Sequence, residues 1–533
     1  MPTSVDAVVI GGGHNGLVSA ILLADRGWDV VVVEASDGPG GAVRTAEVVG
    51  PGFLVDLYSA FYPLGVASPV LRPLDLEAHG LTWSHAPAVL ANPTPDGPTV
   101  VLSRDLDQTA ASLDRFAPGD GDAWRALFAE WQAVEERLIN ALMHPFPPVR
   151  HGLRLVSRLG VRGGGEFLRR GLLPVRRMAE EHFRGEGGAL LLAGNALHTD
   201  LTPDTAASGF FGWLLASIGQ SRGWPVPVGG AGALVDALCR RLAAAGGTLR
   251  CGTAVESIEV RGGRATGVRL ADGSRIEARR AVIADVVAPK LYHQLLADTT
   301  LPSPLAADLD RYQPGSATFK VNWALSGPVP WADPAVAPAG TVHLAASLDE
   351  LTFTAAQLSA GQVPSTPFVL VGQMTTADPL RSPPGTESLW AYTHVPQQVK
   401  GDAGGDGLTG RWDESERDRF VQRMEDRIEA YAPGFRSRIQ ARHVQSPRDM
   451  EREDANLVLG DKSLGTAQLH QQLVFRPTLG LARPETFVDG LYLGSGSAHP
   501  GGGVHGACGA NAAHAALWHD RLHRVRRLGR SRS

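Results

Sequence analysis

The chain has 533 residues, of which 43% are hydrophobic and 20% charged, and its formal net charge is −5. This length exceeds what one hydrophobic core normally supports, so we expect two domains, and the small acidic excess argues against nucleic acid as a partner. The three cysteines, Cys239, Cys251 and Cys508, form no CxxC pair, so the sequence predicts neither a metal site nor a redox dithiol.

The first predicted elements are a strand, a helix and a second strand. Residues 7–10 (AVVI) and 30–33 (VVVV) are continuous apolar runs, as expected of buried parallel strands, and residues 17–24 have helical apolar spacing. The turn between the first strand and the helix reads GGGHNG, and Glu34 follows the second strand. This arrangement is typical of a dinucleotide-binding βαβ unit.

Each glycine of this turn has a physical task in binding a dinucleotide. Gly11 permits the tight turn, Gly13 lets the backbone approach a pyrophosphate, and Gly16 lets the helix pack on the strand. The helix start offers N–H groups and a partial positive charge to the phosphates. Glu34 can accept hydrogen bonds from an adenosine ribose, and an acid at this position disfavours a ribose 2′-phosphate.

A second glycine pair follows the acid. Residues 38–45 read GPGGAVRT, in which Gly40 and Gly41 allow another close approach of the backbone to a ligand. Arg44 and Thr45 add a cation and a hydroxyl group. The alternative interpretation is a plain surface turn, whereas the first interpretation predicts a second diphosphate contact on a long, extended ligand.

Two later segments complete the predicted nucleotide-binding sheet. Residues 228–284 have the pattern of a helix, a strand, a hairpin that turns at Asp272 and Gly273, and a returning strand. Residues 488–493 (VDGLYL) indicate another strand, followed by glycines and by a helix that begins near Val504. A helix start behind glycines presents N–H groups and a positive dipole end to an acceptor.

Three segments together resemble a known family: VVIGGGHNGL at residues 8–17, GPGGAVRT at residues 38–45 and LYLGSGSAHPGGGVHGACGANAA at residues 491–513. They resemble the phytoene desaturase-like branch of the amine-oxidase-type FAD-dependent oxidoreductases. Within that branch they resemble in particular a subgroup labelled pyridine nucleotide-disulfide oxidoreductase domain-containing protein 2. The resemblance covers most of the chain and implies FAD as the cofactor, held in a Rossmann-like (GR2-type) FAD-binding domain.

The resemblance also implies where individual residues meet FAD. It places Val255 at the adenine, Gly494 and Ser495 near the pyrophosphate or the ribityl chain, and residues 502–504 near the flavin ring. The predicted FAD-binding residues are Gly11, Gly13, His14, Asn15, Gly16, Glu34, Ala35, Gly40, Gly41, Arg44, Thr45, Val255, Gly494, Ser495, Gly502, Gly503 and Val504.

We expect an α/β protein whose FAD-binding domain is discontinuous and whose α+β substrate-binding domain is formed by the insertions. Ligand pockets commonly lie at such domain interfaces. The predicted segments are 1–100, 225–300 and 480–520 for the FAD-binding domain, 101–224 and 301–479 for the substrate-binding domain, and 521–533 for a basic tail.

Two features have alternative interpretations. Residues 150–177 are rich in arginine and leucine, which predicts either peripheral contact with an anionic membrane surface or a solvated helix face. His499 and His505 flank the C-terminal glycines and are weak catalytic candidates as proton carriers, with a loop-shaping role as the alternative. No apolar run reaches the roughly 20 residues of a membrane span, and no charged leader is visible, so we expect a cytoplasmic protein, peripheral at the membrane if residues 150–177 bind lipid.

Three functional hypotheses follow from the sequence. The first is dehydrogenation or desaturation of a small hydrophobic, isoprenoid- or lipid-like substrate, with hydride transfer to flavin N5. The second is an amine or amino-acid oxidase on the same scaffold, which an aromatic pair facing the flavin would indicate. The third is a non-catalytic or redox-neutral flavoprotein, such as an isomerase or a regulator. A single dinucleotide fingerprint and the lack of a dithiol motif disfavour NADPH-driven reduction and disulfide reduction.

Overall fold

The computed structural model describes residues 4–95, 97–480 and 482–530, without the side chains of residues 151–159, 161–162 and 525–530. The strands are β1 (Ser4–Ile10), β2 (Val30–Val33), β3 (Thr45–Ala46), β4 (Val55–Asp56), β5 (Trp83–Ser84), β6 (Ala88–Asn92), β7 (Val100–Leu102), β8 (Val226–Pro227), β9 (Thr248–Arg250), β10 (Val255–Arg261), β11 (Arg264–Leu270), β12 (Arg275–Ala284), β13 (Ala317–Leu325), β14 (Ala339–Leu344), β15 (Gln362–Val363), β16 (Val369–Gln373), β17 (Glu387–Val395), β18 (Gly401–Asp402), β19 (Ile439–Gln445) and β20 (Leu491–Leu493). The helices are α1 (His14–Ala24), α2 (Pro63–Ala67), α3 (Leu106–Asp114), α4 (Asp120–Met143), α5 (Val149–Leu172), α6 (Val175–His182), α7 (Glu186–Ala196), α8 (Ser208–Arg222), α9 (Gly232–Ala244), α10 (Ala288–Lys290), α11 (Ser303–Asp310), α12 (Leu348–Ser359), α13 (Met374–Ala377), α14 (Glu414–Tyr431), α15 (Pro447–Glu453) and α16 (Ala507–Arg530).

The first sheet contains the predicted dinucleotide-binding unit. Its strand order is β10–β11–β12–β1–β2–β9, and β20 pairs with the end of β12. The strands β2, β1, β12 and β20 run parallel and align Val33, Ile10, Ala284 and Leu493. Because carboxyl ends of parallel strands meet at one side, the residues that follow these four lie next to each other. We call this side the carboxyl edge.

The second sheet has the order β19–β13–β17–β16–β14–β6–β7. Its two faces carry alternate residues of each strand. On the outer face, Phe319, Val321 and Trp323 of β13 belong to an apolar core shared with α14. The other face, which we call the inner face, carries Thr318, Lys320 and Asn322 of β13, Thr341 and His343 of β14, and Trp390, Tyr392 and His394 of β17.

We propose a division into two units, one around each sheet, with one change from the sequence prediction. The sequence predicts residues 88–100 within the FAD-binding segments, but β6 pairs with β7 and β14 in the second sheet. The chain passes between the units just before, where β5 pairs with β8. A buried apolar strand such as β6 suits either sheet equally well, so its local sequence does not reveal the boundary.

Helix α5 corresponds to the basic stretch. Gly160, with φ 69° and ψ 178°, interrupts the helix, whereas residues 163–165 continue it. Leu168 and Leu172 are exposed, but the side chains of 151–159 and 161–162 lie outside the described residues, and with them much of the predicted basic face. Within the described part of the chain, no helix is both long and apolar enough to cross a bilayer.

Candidate active site

The three glycines of the first turn are each enclosed by neighbouring atoms. Gly11 has a φ of +97°, and a Cβ atom there would lie 2.7 Å from the Asp285 carbonyl oxygen. A Cβ at Gly13 would lie 2.7 Å from Asp285 Oδ2, and one at Gly16 would lie 2.1 Å from the Gly11 carbonyl oxygen. These distances leave no room for a side chain. The turn therefore keeps the bare backbone that close approach to a diphosphate requires.

Asp285 lies against this turn and belongs to none of the sequence motifs. It follows β12 at the carboxyl edge, and its Oδ2 accepts a hydrogen bond of 2.8 Å from the Gly16 N–H. Burial raises the pKa of the Asp285 carboxyl group to about 7, and the nearby Asp454 and Glu34 carboxylates add to the increase. A large fraction of Asp285 is thus uncharged near neutral pH, which reduces its repulsion of a phosphate group.

Glu34 is held in place by the backbone around it. Its carboxylate accepts hydrogen bonds from the N–H groups of Gly12, at 2.7 Å, and Ser36, at 2.8 Å. A carboxylate has further lone pairs, so Glu34 can still accept the hydroxyl groups of a ribose.

The segment around Val255 lies beside Glu34. The Thr253 N–H donates a hydrogen bond of 3.2 Å to the Glu34 carbonyl oxygen, and Val255 begins β10 two residues later. Ala35 is exposed next to Glu34. The structure thus brings the predicted ribose and adenine residues to one end of the carboxyl edge.

The two glycine turns touch each other. The Gly40 N–H donates a hydrogen bond of 2.8 Å to the Gly12 carbonyl oxygen. A Cβ at Gly41 would lie 3.5 Å from the Gly13 Cα atom, and Gly40 and Gly41 have φ values of +126° and +53°. Both turns therefore offer bare backbone at the same place, which favours a shared diphosphate contact over a plain surface turn.

Arg44 and Thr45 differ in what they can offer a ligand. The Thr45 hydroxyl donates to Asp56 at 2.8 Å and accepts from the Gly232 N–H at 3.0 Å, so it joins segments of the fold. Arg44 makes one 3.4 Å hydrogen bond to Ser36, and its Nε has no hydrogen-bond partner among the described residues. Arg44 therefore suits the predicted role of a cation for phosphate, whereas the Thr45 hydroxyl is already engaged.

The C-terminal segment closes the carboxyl edge. The Gly494 N–H donates a hydrogen bond of 2.9 Å to the Ala284 carbonyl oxygen, and Ser495 beyond it is fully buried. A Cβ at Gly509 in α16 would lie 1.9 Å from the Asn15 carbonyl oxygen. The first and the last helix of the chain thus meet at their N-terminal ends, as the predicted FAD-binding residues require.

The glycines before α16 are open on one side. Gly502 and Gly503 are exposed, and the His14 ring donates a hydrogen bond of 3.2 Å to the Gly503 carbonyl oxygen. The sequence predicts a helix start near Val504, but α16 begins at Ala507 because Gly506 adopts a φ of +71°. The predicted contact of residues 502–504 with the flavin ring is therefore one with a loop rather than with a helix turn.

Arg476 fixes this loop and belongs to none of the sequence motifs. It is 2% exposed, and its guanidinium group donates to the carbonyl oxygens of Gly496, Ser463, Leu464 and Thr466 at 2.6–3.1 Å. These acceptors join the segment after β20 to residues 463–466. Arg476 thereby positions the segment that passes from the second sheet to the C-terminal glycines.

The two candidate catalytic histidines both contact backbone atoms. The His499 Nε2 donates to the His144 carbonyl oxygen at 2.9 Å, and the His505 Nδ1 accepts from the Ala507 N–H at 3.0 Å. Burial lowers the pKa of His499 to about 4 and that of His505 to about 3. Both rings are therefore neutral at physiological pH and hold the loop, which supports the loop-shaping interpretation over the proton-carrier interpretation.

The inner face lies next to the carboxyl edge. Lys320 donates hydrogen bonds to the carbonyl oxygens of Asp56 and Tyr58, and its Nζ lies 5.3 Å from the centre of the Trp390 ring. Burial lowers the pKa of the Lys320 ammonium group to about 7. Because the Asp56 side chain also binds Thr45, Lys320 connects the inner face to the second glycine turn.

Several polar atoms of the inner face are buried without partners. Thr318 Oγ1, Thr341 Oγ1 and both amide atoms of Asn322 have no hydrogen-bond partner among the residues that the structure describes. An unsatisfied buried polar group costs about 1–3 kcal/mol, and such groups are rare in structural cores. Their concentration on one face indicates a site rather than a packing layer.

The carboxyl edge has the features that a long dinucleotide needs. Two touching glycine turns admit backbone to a diphosphate, Glu34 has free acceptor capacity for a ribose, and an open glycine loop follows at the far end. FAD is long enough to reach from the first turn to that loop, and the residues present fit it.

Comparisons with known proteins agree with this geometry. The chain matches the family model described as FAD dependent oxidoreductase over residues 6–515. It is 30% identical to pyridine nucleotide-disulfide oxidoreductase domain-containing protein 2 of Mus musculus, with 96% of this chain and 92% of that protein covered. It is 27% identical to the lycopene-forming phytoene desaturase of Pseudescherichia vulneris, with 96% and 98% covered.

Solved structures share the fold at lower identity. An oxidoreductase from Methanosarcina mazei superposes with a TM-score of 0.61 at 16% identity, covering 96% of this chain and 99% of that one. Cyclohexylamine oxidase from Brevibacterium oxydans superposes with a TM-score of 0.57 at 18% identity, covering 97% and 99%. These structures establish the flavoprotein fold and say nothing about the substrate of this chain.

Proposed function

The chain belongs to the FAD-dependent oxidoreductase family, and from this membership we propose that it dehydrogenates an apolar, isoprenoid- or lipid-like substrate at carbon. It is an oxidoreductase with FAD as its cofactor. The proposal concerns what it oxidises and where the substrate lies. We place the substrate between the C-terminal glycine loop and the inner face of the second sheet.

The observation that carries the proposal is an aromatic wall opposite the glycine loop. Trp390 and Tyr392 stack with ring centres 5.8 Å apart, and the Phe61 ring packs edge-on against Trp390 at 6.1 Å. The segment that contains Phe61 continues to Leu64, whose Cδ1 would lie 2.9 Å from a Cβ at Gly503. Leu64 thus spans from the wall to the loop, and an apolar molecule held there would be shielded from water.

The residues that would hold FAD are those of the carboxyl edge, with Gly11, Gly13, Gly40 and Gly41 at the diphosphate and Glu34 at the ribose. When bound, FAD supplies the acceptor for a hydride leaving the substrate carbon. The protein supplies position and exclusion of water. Trp390 and Tyr392 would orient the substrate, and Arg476 would keep the glycine loop at a fixed distance from them.

The sequence relatives support an apolar substrate. By its name, the phytoene desaturase that this chain matches over 96% of its length removes hydrogen from a hydrocarbon. A shorter match of 35% identity, over 26% of this chain, is to a limonene dehydrogenase polypeptide of Castellaniella defragrans, which is also named for an isoprenoid hydrocarbon.

Amine oxidation is the second candidate, and the stacked pair of Trp390 and Tyr392 is what favours it. Aromatic rings attract an ammonium group. However, lysine side chains already lie over both rings, with Lys320 Nζ 5.3 Å from the Trp390 centre and Lys462 Nζ 3.3 Å from the Tyr392 centre. Two cations at these rings repel a third, so we favour the apolar substrate.

Anaerobic stopped-flow mixing tests the proposal. We expect apolar isoprenoid substrates to bleach the flavin absorbance of the holoenzyme, and NADPH, NADH and primary amines to leave it unchanged on the time scale of turnover. Rapid bleaching by either nucleotide would establish a reductase instead, and bleaching by amines would establish the second candidate. Conversion of a substrate without net bleaching, and only after prior reduction of the flavin, would establish the redox-neutral alternative.

A further inference from the structure

Lys462 stands out because its charge is not matched by any acid. Its Nζ lies 3.3 Å from the centre of the Tyr392 ring, and no carboxylate lies within ion-pairing distance of it among the described residues. The adjacent Asp461 is committed elsewhere, since its carboxylate accepts the N–H groups of Gly315, Ser463 and Gly465 at 2.7–2.9 Å. An interior cation without a counterion is costly unless a ligand supplies one.

The surroundings of Lys462 are polar but uncharged. His198 and His394 both lie close enough to interact electrostatically with the ammonium group, and burial lowers the pKa of His198, with that of His394 lowered to about 3. His198 shares a 2.8 Å hydrogen bond with His343, and His394 donates to the Leu197 carbonyl oxygen at 3.0 Å. The rings therefore add hydrogen-bonding capacity without adding charge.

The location of Lys462 relates it to both parts of the site. Tyr392, on the inner face, stacks with Trp390 in the proposed substrate wall. Ser463, the next residue after Lys462, has its Cα 2.9 Å from where a Cβ of Gly502 would lie. Part of the Lys462 surface stays accessible, whereas Tyr392 and His394 are buried. The ammonium group is thus open to a molecule lying between the glycine loop and the wall.

We propose that Lys462, Tyr392, His198 and His394 form a carboxylate-binding pocket, which we call the lysine pocket, and that the natural substrate is an apolar molecule with one carboxylate. One ammonium group among neutral rings matches a monoanion, whereas a phosphate dianion would need a second cation. The aromatic wall continues from the pocket to Trp390 and would take the apolar part. This inference rests on the proposed function, because it names the class of substrate that the same site oxidises.

Equilibrium dialysis on the FAD-loaded full chain tests the pocket. The ligands are octanoic, dodecanoic and hexadecanoic acids, each compared with its methyl ester, which has the same apolar part and no charge. We expect the best-fitting acid to bind at least about 30-fold more tightly than its ester. Equal affinity for acid and ester, or no binding of any acid in the series, would overturn the inference.

Variants of the lysines locate the effect. Lys462→Met should reduce the preference for acid over ester to less than about twofold while the affinity for the ester stays the same, and Lys462→Arg should restore most of the preference. Lys400→Met is the matched control at an exposed lysine and should bind as the unaltered protein does. A preference that persists in Lys462→Met would also overturn the inference. Each variant is first checked for its FAD content, which separates loss of the pocket from loss of the fold.

The outcome stays distinct from that of the proposed function. If uncharged isoprenoids bleach the flavin while acids do not bind, the proposed function holds and the lysine pocket does not. If acids bind through Lys462 but no apolar substrate bleaches the flavin, the pocket holds and the proposed reaction does not.

Discussion

The carboxyl edge of the first sheet and the inner face of the second sheet are built from different parts of the polypeptide. At the edge, Gly11, Gly13 and Gly41 expose bare backbone, and side chains such as Asp285 fit around it. On the inner face, the backbone is occupied in the sheet, and side chains from distant segments meet, as Lys320 and Lys462 do over neighbouring aromatic rings. The edge thus recognises groups common to every FAD molecule, whereas the inner face can change its ligand by changing single side chains.

The largest effect is expected where the backbone itself is covered. Gly13→Val should weaken FAD binding by at least about 100-fold, because its side chain would enter the space next to Asp285 Oδ2 that only a glycine leaves open. The FAD content of the purified protein and its titration with added FAD measure the effect.

Gly165→Val is the control for Gly13→Val. A Cβ at Gly165 meets nothing within 4 Å, so this variant should keep its full content of FAD. Stoichiometric FAD in Gly13→Val would show that the edge does not depend on bare backbone, and the contrast with the inner face would fail.

The next effect separates the two faces of the second sheet. Phe319→Ala on the outer face should lower the free energy of unfolding by about 3–5 kcal/mol, since Phe319 is fully buried in the apolar core with α14. Asn322→Leu on the inner face should lower it by less than about 1 kcal/mol, because the amide atoms it removes have no partners among the described residues. Urea unfolding followed by fluorescence compares them, and similar losses in both variants would mean that the inner face is ordinary core.

A smaller effect is expected for a side chain that serves the edge. Glu34→Ala should weaken FAD binding by about 1–3 kcal/mol, since it removes a ribose acceptor and frees the N–H groups of Gly12 and Ser36. Fluorescence titration with FAD measures the change. Glu256→Ala, which removes the exposed partner of Arg269, is the control and should bind FAD normally. Unchanged affinity in Glu34→Ala would remove the ribose from the proposed contacts.

The difference between the two regions also explains what the sequence could reveal. The FAD cofactor and the α/β fold were predictable because glycine-rich turns act through residues close in sequence, and Gly13 and Gly41 mark their positions directly. Asp285 carries a weak signal, as the residue after a predicted parallel strand. The inner face carries none, since its members lie on separate strands and each resembles a core residue.

The lysines are a signal whose meaning required the structure. The chain has four, Lys290, Lys320, Lys400 and Lys462, and their scarcity beside many arginines reads as composition. The structure places two of the four over the adjacent rings of Trp390 and Tyr392. Only the pairing of β13 with β17 and the position of the segment after α15 bring them together, and neither can be read from local sequence.

The smallest effect concerns the one acid that lies within the bare-backbone turn. Because burial raises the pKa of Asp285 to about 7, the group is mostly uncharged below that pH and becomes negative above it, next to the proposed diphosphate. FAD binding should therefore weaken as pH rises from about 6 to about 8, by up to about tenfold. The stability of the FAD-free protein should change with the same sign. A carboxyl group whose pKa is raised on folding stabilises the protein fully below its unfolded value of about 4, and this contribution is lost as pH rises through about 7.

Asp285→Asn isolates this contribution. The amide keeps the size of the side chain and an oxygen that can accept the Gly16 N–H, but it does not titrate, so FAD affinity should become nearly independent of pH over this range. The neighbouring Asp454, whose pKa is also raised by burial, remains in the variant and serves as an internal control. If the affinity of Asp285→Asn still falls with pH as steeply as that of the unaltered protein, the titrating group is Asp454 or another acid. The backbone turn would then bind FAD without any contribution from the protonation of Asp285.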